Sequence, residues 1–205
     1  MKTAEIVNEA MKLVGSENNG EKIQDWDAYI LKREADRLLN ERKERWNKIC
    51  PPLYKETDIK KIKDRKRLEK VMSWNPKDGR NLWIKGETGK QKTRMAFLLI
   101  EKLLFEGYSV EAINAVELGI KLSQPVWDGK EKELERLSRY SVLLIDDLGK
   151  EPDTQTISQY LYLLVEKRYS HKRLTIITSN QLQHKEAQRP TYRRLFENAI
   201  CAEVV

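Results

Sequence analysis

From residue 81 onward, short apolar runs alternate with helical stretches, and no other feature of this sequence constrains its fold as tightly. Runs of strand length lie near 81–85, 109–113, 141–145 and 173–178, with a further candidate near 200–205. Helices are expected over roughly 92–107, 114–123, 129–138, 154–170 and 190–197. Two strands separated by a helix need a crossover connection, which makes them parallel. Val142-Leu143-Leu144-Ile145 has no polar face at all, as a strand covered on both sides requires. The pattern therefore predicts an α/β domain whose mainly parallel sheet carries helices on both faces.

The region before residue 81 reads differently. Residues 3–14 can form a short helix that stops at Gly15, and Ser16-Glu17-Asn18-Asn19-Gly20 reads as a polar loop. A longer helix is expected from about Glu21 to Ile49. Ile23, Trp26, Ile30, Leu38, Trp46 and Ile49 recur there at three- and four-residue steps or their multiples. Such a stripe either packs on a neighbouring element or grips a partner. Cys50-Pro51-Pro52 ends the helix, because proline lacks the amide donor and restricts its predecessor. That break predicts a helical N-terminal arm, residues 1–50, and a main domain, residues 51–205. Within the latter, Thr57 to Trp74 is expected to be helical, N-capped by Thr57, with Ile59, Ile62, Leu68, Val71 and Met72 on its apolar side. Asn75 to Gly79 reads as a turn.

Charge and cysteine content narrow the class. Among 205 residues, 39 Lys and Arg face 32 Asp and Glu, giving a formal charge of +7. That balance permits binding to nucleic acid or another polyanion, and equally a solvated lysine-rich surface. No run approaches the roughly 18 apolar residues of a membrane span. Glu5, Asn8 and Glu9 stand where a signal peptide would place its apolar stretch, and Cys50 and Cys201 are too few for a disulfide framework or a full zinc site. A reducing cytoplasm is the expected location.

Leu82-Trp83-Ile84-Lys85 runs into Gly86-Glu87-Thr88-Gly89-Lys90-Gln91-Lys92-Thr93, with Arg94 and an apolar helix immediately behind. Strand, glycine-containing turn and helix N-terminus form the setting of a phosphate-binding loop. Backbone amides and the helix dipole attract phosphate, Lys92 adds a point charge, and the Thr93 hydroxyl suits Mg2+. One position departs from the pattern, since Gln91 stands where glycine is expected. Farther on, the apolar run at 142–145 ends in Asp146-Asp147. Parallel sheets place their chemistry at the carboxyl ends of strands, so Asp146 is a candidate metal ligand beside Thr93 and Asp147 a candidate to polarise water. Leu174-Thr175-Ile176-Ile177 ends in Thr178-Ser179-Asn180, whose polar tip is expected between the first two sites, where Asn180 could orient water or touch a terminal phosphate. Arg189, Arg193 and Arg194 precede Leu195-Phe196-Glu197; an arginine at a subunit edge can reach a neighbour's nucleotide, and an ion pair on the surface is the plainer alternative.

These pieces, in this order, resemble AAA+ ATPases of the bacterial helicase-loader and transposition-helper group, the DnaC-, DnaI- and IstB-like proteins. Leu143-Leu144-Ile145-Asp146-Asp147-Leu148-Gly149, Thr175-Ile176-Ile177-Thr178-Ser179-Asn180 and Arg194-Leu195-Phe196-Glu197 carry the likeness, which covers about residues 50–205. The resemblance implies a P-loop AAA+ core with a five-stranded parallel sheet flanked by helices, preceded by the helical arm and without a full C-terminal lid. It implies Walker A residues at Lys92 and Thr93, within an ATP-binding stretch of Gly86, Glu87, Thr88, Gly89, Lys90, Gln91, Lys92, Thr93 and Arg94. Asp146 and Asp147 become Walker B residues, Asn180 sensor 1, and Arg194 (or Arg193 in a shifted register) the arginine finger.

The same resemblance implies ATP and Mg2+ as cofactors and self-association into a ring or spiral. It further implies contact with single-stranded DNA and delivery of a replicative helicase, or alternatively recruitment of a transposase. Gln91 leaves open a third possibility, a nucleotide-binding adaptor with little or no turnover. Lys121, Trp127, Lys130, Lys132 and Arg136 interleave charge with one aromatic, which suits single-stranded DNA as well as a solvated helix over a buried Trp127. His171 and His184 are isolated and read as surface residues.

Overall fold

The computed structural model describes residues 26–123, 127–152, 154–180 and 190–204. The expected helix at 3–14, the 16–20 loop, Ile23, His184 and Arg189 lie outside the described residues, as does the Trp127 side chain. The strands are β1 (Asn81–Gly86), β2 (Val110–Asn114), β3 (Val142–Asp146), β4 (Leu174–Ser179) and β5 (Ala199–Val204). The helices are α1 (Trp26–Ile49), α2 (Pro52–Lys55), α3 (Arg65–Met72), α4 (Lys92–Phe105), α5 (Ala115–Ser123), α6 (Trp127–Arg139), α7 (Gln155–Ser170) and α8 (Pro190–Phe196).

All five strands join one parallel sheet in the order β2-β3-β4-β1-β5. The alternation of apolar runs and helices thus produced the expected α/β architecture. β3 and β4 are buried along their whole length because helices cover both faces, whereas β1 alternates between buried and half-buried residues. On one face Trp46, Ile49, Leu68, Val71, Met95 and Leu99 pack against Leu82, Ile84 and Leu144. On the other, Leu118, Leu137, Leu164 and Leu195 pack against Leu143, Ile145 and Ile177. Full burial of each such side chain contributes about 1.5–3 kcal/mol, so the helices hold the sheet from both sides.

The long helix is only half attached. Trp46 and Ile49 enter the core, Arg42 donates to the Phe105 carbonyl at the end of α4 at 2.7 Å, and Arg45 binds the sheet edge through Glu111 Oε2 at 2.9 Å. Toward its N-terminus, Trp26 and Ile30 are 65% and 56% exposed, so that part of the apolar stripe has no cover among the described residues.

The single helix expected over Thr57–Trp74 does not form. The chain instead makes a single 3-10 turn at Ile59–Lys61, passes through extended Ile62, and begins α3 only at Arg65. Asp58 and Asp64 explain the break. Their carboxylates accept from the Lys60 and Arg67 amides, which starts a new turn at each aspartate instead of continuing one helix. Asp64, not Thr57, is the N-cap of α3. Among the described residues no helix is long and apolar enough to cross a membrane.

Candidate functional site

The site forms where β1, β3 and β4 end side by side. Strand order places β4 between β1 and β3, so the 178–180 tip lies between the glycine loop and the acidic pair, as expected from sequence. β1 closes at Gly86, the loop turns through Gly89 at φ +82°, and α4 starts at Lys92. A positive φ costs an L side chain its Cβ clearance, which is why glycine suits position 89.

Lys92 is 6% exposed, and its ammonium donates to the Glu87 carbonyl at 2.8 Å and to Asn180 Oδ1 at 3.1 Å. Burial pulls its pKa below the ordinary lysine range, although the Asp147 charge opposes that shift. The lysine is thus folded back over the loop and linked to the β4 tip.

One residue on, Thr93 Oγ1 donates to Asp146 Oδ1 at 2.9 Å, and Thr178 Oγ1 donates to the same oxygen at 2.5 Å. Burial raises the Asp146 pKa above the usual carboxylate range, and the hydrogen bonds from Thr178 and Thr93 act against it. Asp147 adopts φ +60°, presents its amide to Thr178 Oγ1 at 2.8 Å and pairs with the Lys150 ammonium at 2.8 Å. Among the described residues, no group of three or more His, Cys, Asp or Glu could hold a metal alone. Thr93 and Asp146 offer two convergent hard oxygens, which fits Mg2+ that completes its shell with phosphate oxygens and water.

Gln91 takes the place of a glycine and keeps the backbone form a glycine would supply, with φ +59°. Its side chain turns away from the loop. Its Oε1 accepts from the Lys63 amide at 2.9 Å and its Nε2 donates to the Lys61 carbonyl at 3.3 Å. A left-handed conformation costs a non-glycine residue about 1–2 kcal/mol, and two hydrogen bonds at about 0.5–1.5 kcal/mol each offset it. Arg94 also leaves the loop. It donates to the Leu53 carbonyl and Thr57 Oγ1, with its guanidinium 5.7 Å from the Tyr54 ring centre.

Lys92, Thr93, Asp146, Asp147 and Asn180 are therefore brought together, with Glu87, Thr88 and Gly89 exposed in the loop. Arg194 is not among them. Its Nε donates to Glu166 Oε1 at 2.8 Å, and its guanidinium lies 4.9 Å from the Tyr169 ring centre. Arg193 is more exposed and lies 4.0 Å from Glu197. The adjacent Leu195 carbonyl accepts from Asn81 at the start of β1, whereas the loop follows the other end of that strand. Five strand steps separate those ends by roughly 17 Å.

Three further residues meet the site without having been singled out from sequence. Thr178 was only part of a strand tip, and Lys150 resembled any loop lysine. Tyr54 stacks on Phe97 with ring centres 5.0 Å apart, and its pKa is raised first by burial and next by Asp146. A tyrosine shortly after a proline pair carries no sequence signal of such placement. Of the basic residues considered for DNA contact, Lys130 is 9% exposed and its ammonium lies 5.2 Å from the Tyr160 ring centre; Lys121 pairs with Glu117 and Glu133, and Arg136 with Glu133 and Glu111.

An insertion sequence IS5376 ATP-binding protein of Geobacillus stearothermophilus is 28% identical over 120 residues, 58% of this chain and 47% of that protein. The chain thus spans about half the length of this relative. The crystal structure of the DnaC helicase loader superposes with a TM-score of 0.57 at 22% identity, covering 78% of this chain and 99% of that one. DnaI gives a TM-score of 0.58 at 19% identity, covering 73% and 87%. Replication initiator DnaA bound to AMPPCP and single-stranded DNA gives 0.56 at 16%, covering 68% and 44%. The structural likenesses show a shared α/β fold. Residues 53–189 match the family of IstB-like ATP-binding proteins, two thirds of a chain that begins its resemblance where its long N-terminal helix ends, and the chain belongs to that family.

Proposed function

We propose that this protein is an ATPase that assembles on DNA and loads or remodels a replicative helicase. One observation carries the nucleotide reading: at the end of the glycine loop, adjacent Lys92 and Thr93 are hydrogen-bonded to Asn180 and Asp146 respectively. Incoming phosphates take over Lys92 from the Glu87 carbonyl and Asn180, and the amides at the start of α4 meet the same charge. Mg2+, when bound, polarises the terminal phosphate and neutralises charge that develops there. Asp146 and Thr93 hold that ion, Asp147 orients the attacking water once Lys150 is drawn to phosphate, and Asn180 contacts the terminal phosphate. Arg194 serves a neighbouring subunit, a reading supported by its position at the end of β1 remote from its own loop.

The exposed Trp26, Tyr29, Ile30 and Leu31 on α1 support a partner-binding role for the arm, residues 1–50. The likeness in fold to DnaC and DnaI favours a helicase as the partner, in the cytoplasm where replication occurs. A second reading, a transposition helper that recruits a transposase, is favoured by the IstB-like family match and the insertion-sequence relative. Pull-down with the full chain separates them: retention of the replicative helicase supports the first, and retention of a transposase instead supports the second. For the ATPase itself, Lys92→Ala should abolish nucleotide binding and hydrolysis together. Absence of ATP binding by the parent protein would leave neither reading standing.

A further inference from the structure

Gln91 is the residue at which this phosphate loop departs from the pattern, and its side chain has a specific destination. The carboxamide uses both its acceptor and its donor on one short stretch of backbone, the Lys63 amide and the Lys61 carbonyl. These two bonds bracket Ile62, which is 2% exposed and sits in the same core as Trp46, Ile49 and Cys50 at the end of α1. One turn farther along α4, Arg94 holds the Leu53 carbonyl and the Thr57 hydroxyl. Gln91 and Arg94 thus fasten residues 53–63 across the first turn of the loop helix. That stretch is the first part of the covalent link between α1 and the sheet.

A residue turned aside merely to clear the loop would need no such pairing. Gln91 also immediately precedes Lys92, so a ligand that moves the loop moves the anchor of both bonds. We propose that Gln91 is a positioning residue that couples the phosphate loop to residues 61–63, so that occupancy of the loop is transmitted to the segment that attaches α1. The proposal rests on the nucleotide-binding reading and gives the departure from glycine a purpose: the loop keeps its shape and gains a connection to the arm.

Hydrogen exchange on the full chain, with and without AMPPCP and Mg2+, tests this. Gln91→Gly retains the left-handed backbone and removes the side chain; Gln91→Asn retains a carboxamide on a stem too short to span the gap. In the parent, the analogue should slow exchange across residues 59–66 by about threefold or more, together with exchange across the loop at 86–93. At analogue concentrations that saturate the loop of each variant, whatever its affinity, the response at 59–66 should disappear. In ligand-free protein, exchange at Lys63 should already be faster in both variants than in the parent. An unchanged nucleotide response at 59–66 in the variants, or a parent that responds at the loop alone, would overturn the coupling. Equal ligand-free exchange at Lys63 would overturn it as well. A parent with no protection at 86–93 at saturating analogue would remove the nucleotide reading and the transmitting role with it, and that outcome is recognisable because the loop itself stays silent.

Discussion

Thr178 Oγ1 gives its proton to Asp146 Oδ1 at 2.5 Å and accepts the Asp147 amide at 2.8 Å, so one hydroxyl on β4 fixes both acids at the end of β3. The Leu148 amide then reaches the Thr178 carbonyl at 2.9 Å, which binds the turn after β3 to the same residue. Neighbouring strand ends therefore hold the two carboxylates in different settings, one buried and doubly hydrogen-bonded, the other in an ion pair with Lys150.

Thr178→Val should retain the shape of the strand and lose that hydroxyl. A buried carboxylate then loses one of two donors, a defect worth about 1–3 kcal/mol. Thermal melts should show the destabilisation. Steady-state ATP hydrolysis should fall at least about tenfold because Asp147 loses its anchor, while binding of Mg2+-free nucleotide stays near the parent value. Unaltered turnover would assign Thr178 to packing alone.

Asp146→Asn makes a prediction of opposite sign for stability. The folded-state pKa of Asp146 lies above its unfolded value, so the folded chain binds the proton more tightly. The contribution of this carboxyl to stability is therefore greatest below the unfolded value and is lost as pH rises through the folded one. The variant removes that charge and retains an acceptor for Thr93 and Thr178. At neutral pH its Tm should therefore rise above that of the parent. Near pH 4 the difference should vanish, and Mg2+-dependent hydrolysis should be lost at every pH.

Arg168 is 1% exposed and braces the opposite end of the sheet. Its guanidinium donates to the Leu137 carbonyl at 2.8 Å, the Tyr140 carbonyl at 2.9 Å, Thr175 Oγ1 at 3.2 Å and the Leu174 carbonyl. The end of α6 and the starts of β3 and β4 thus converge on one side chain. Arg168→Met should leave those carbonyls buried without a donor and cost at least about 3 kcal/mol, read by urea denaturation. Arg168→Lys should recover only part of it, because a single ammonium cannot serve such a spread of acceptors.

The parts of this molecule that could be read from sequence are those encoded in local patterns. Val142–Ile145 announces a strand covered on both faces because every residue is apolar, and Asp146-Asp147 then falls at the strand end where parallel sheets do chemistry. Gly86–Thr93 is legible for the same reason, since its turn and helix start are contiguous. Residues 57–64 are not legible in this way, because their apolar spacing fits a helix while Asp58 and Asp64 each redirect the backbone locally. Gln91 was visible as a departure, yet its destination depends on backbone 28 and 30 residues away. Tyr54 likewise reaches the site only because α2 docks on Phe97. Side-chain contacts made across the fold leave no period in the sequence.

The last prediction concerns Arg194. α8 is fixed by several contacts: Leu195 is 1% exposed, Phe196 stacks on Trp83 with ring centres 4.1 Å apart, and the Tyr192 hydroxyl binds Glu151. Asn81 holds the Leu195 carbonyl at the start of β1. A helix so anchored cannot carry Arg194 along the strand to the loop that follows Gly86. The guanidinium remains at the surface, held by Glu166, where a second subunit can approach. An arginine supplied in trans is worth about three to five decades in the rate of phosphoryl transfer. ATP should therefore promote a homo-oligomer, and turnover per subunit should climb steeply with protein concentration. Arg194→Ala should bind nucleotide nearly as well as the parent and lose most of its turnover. Asp147→Asn should also bind and fail to turn over, because it lacks the water-orienting carboxylate. Mixing the two inactive variants should restore activity, since an Arg194→Ala subunit retains an intact Asp147 that can receive Arg194 from its Asp147→Asn neighbour. Turnover independent of concentration, in a protein that stays monomeric with ATP and DNA, would show that the site is complete within one chain.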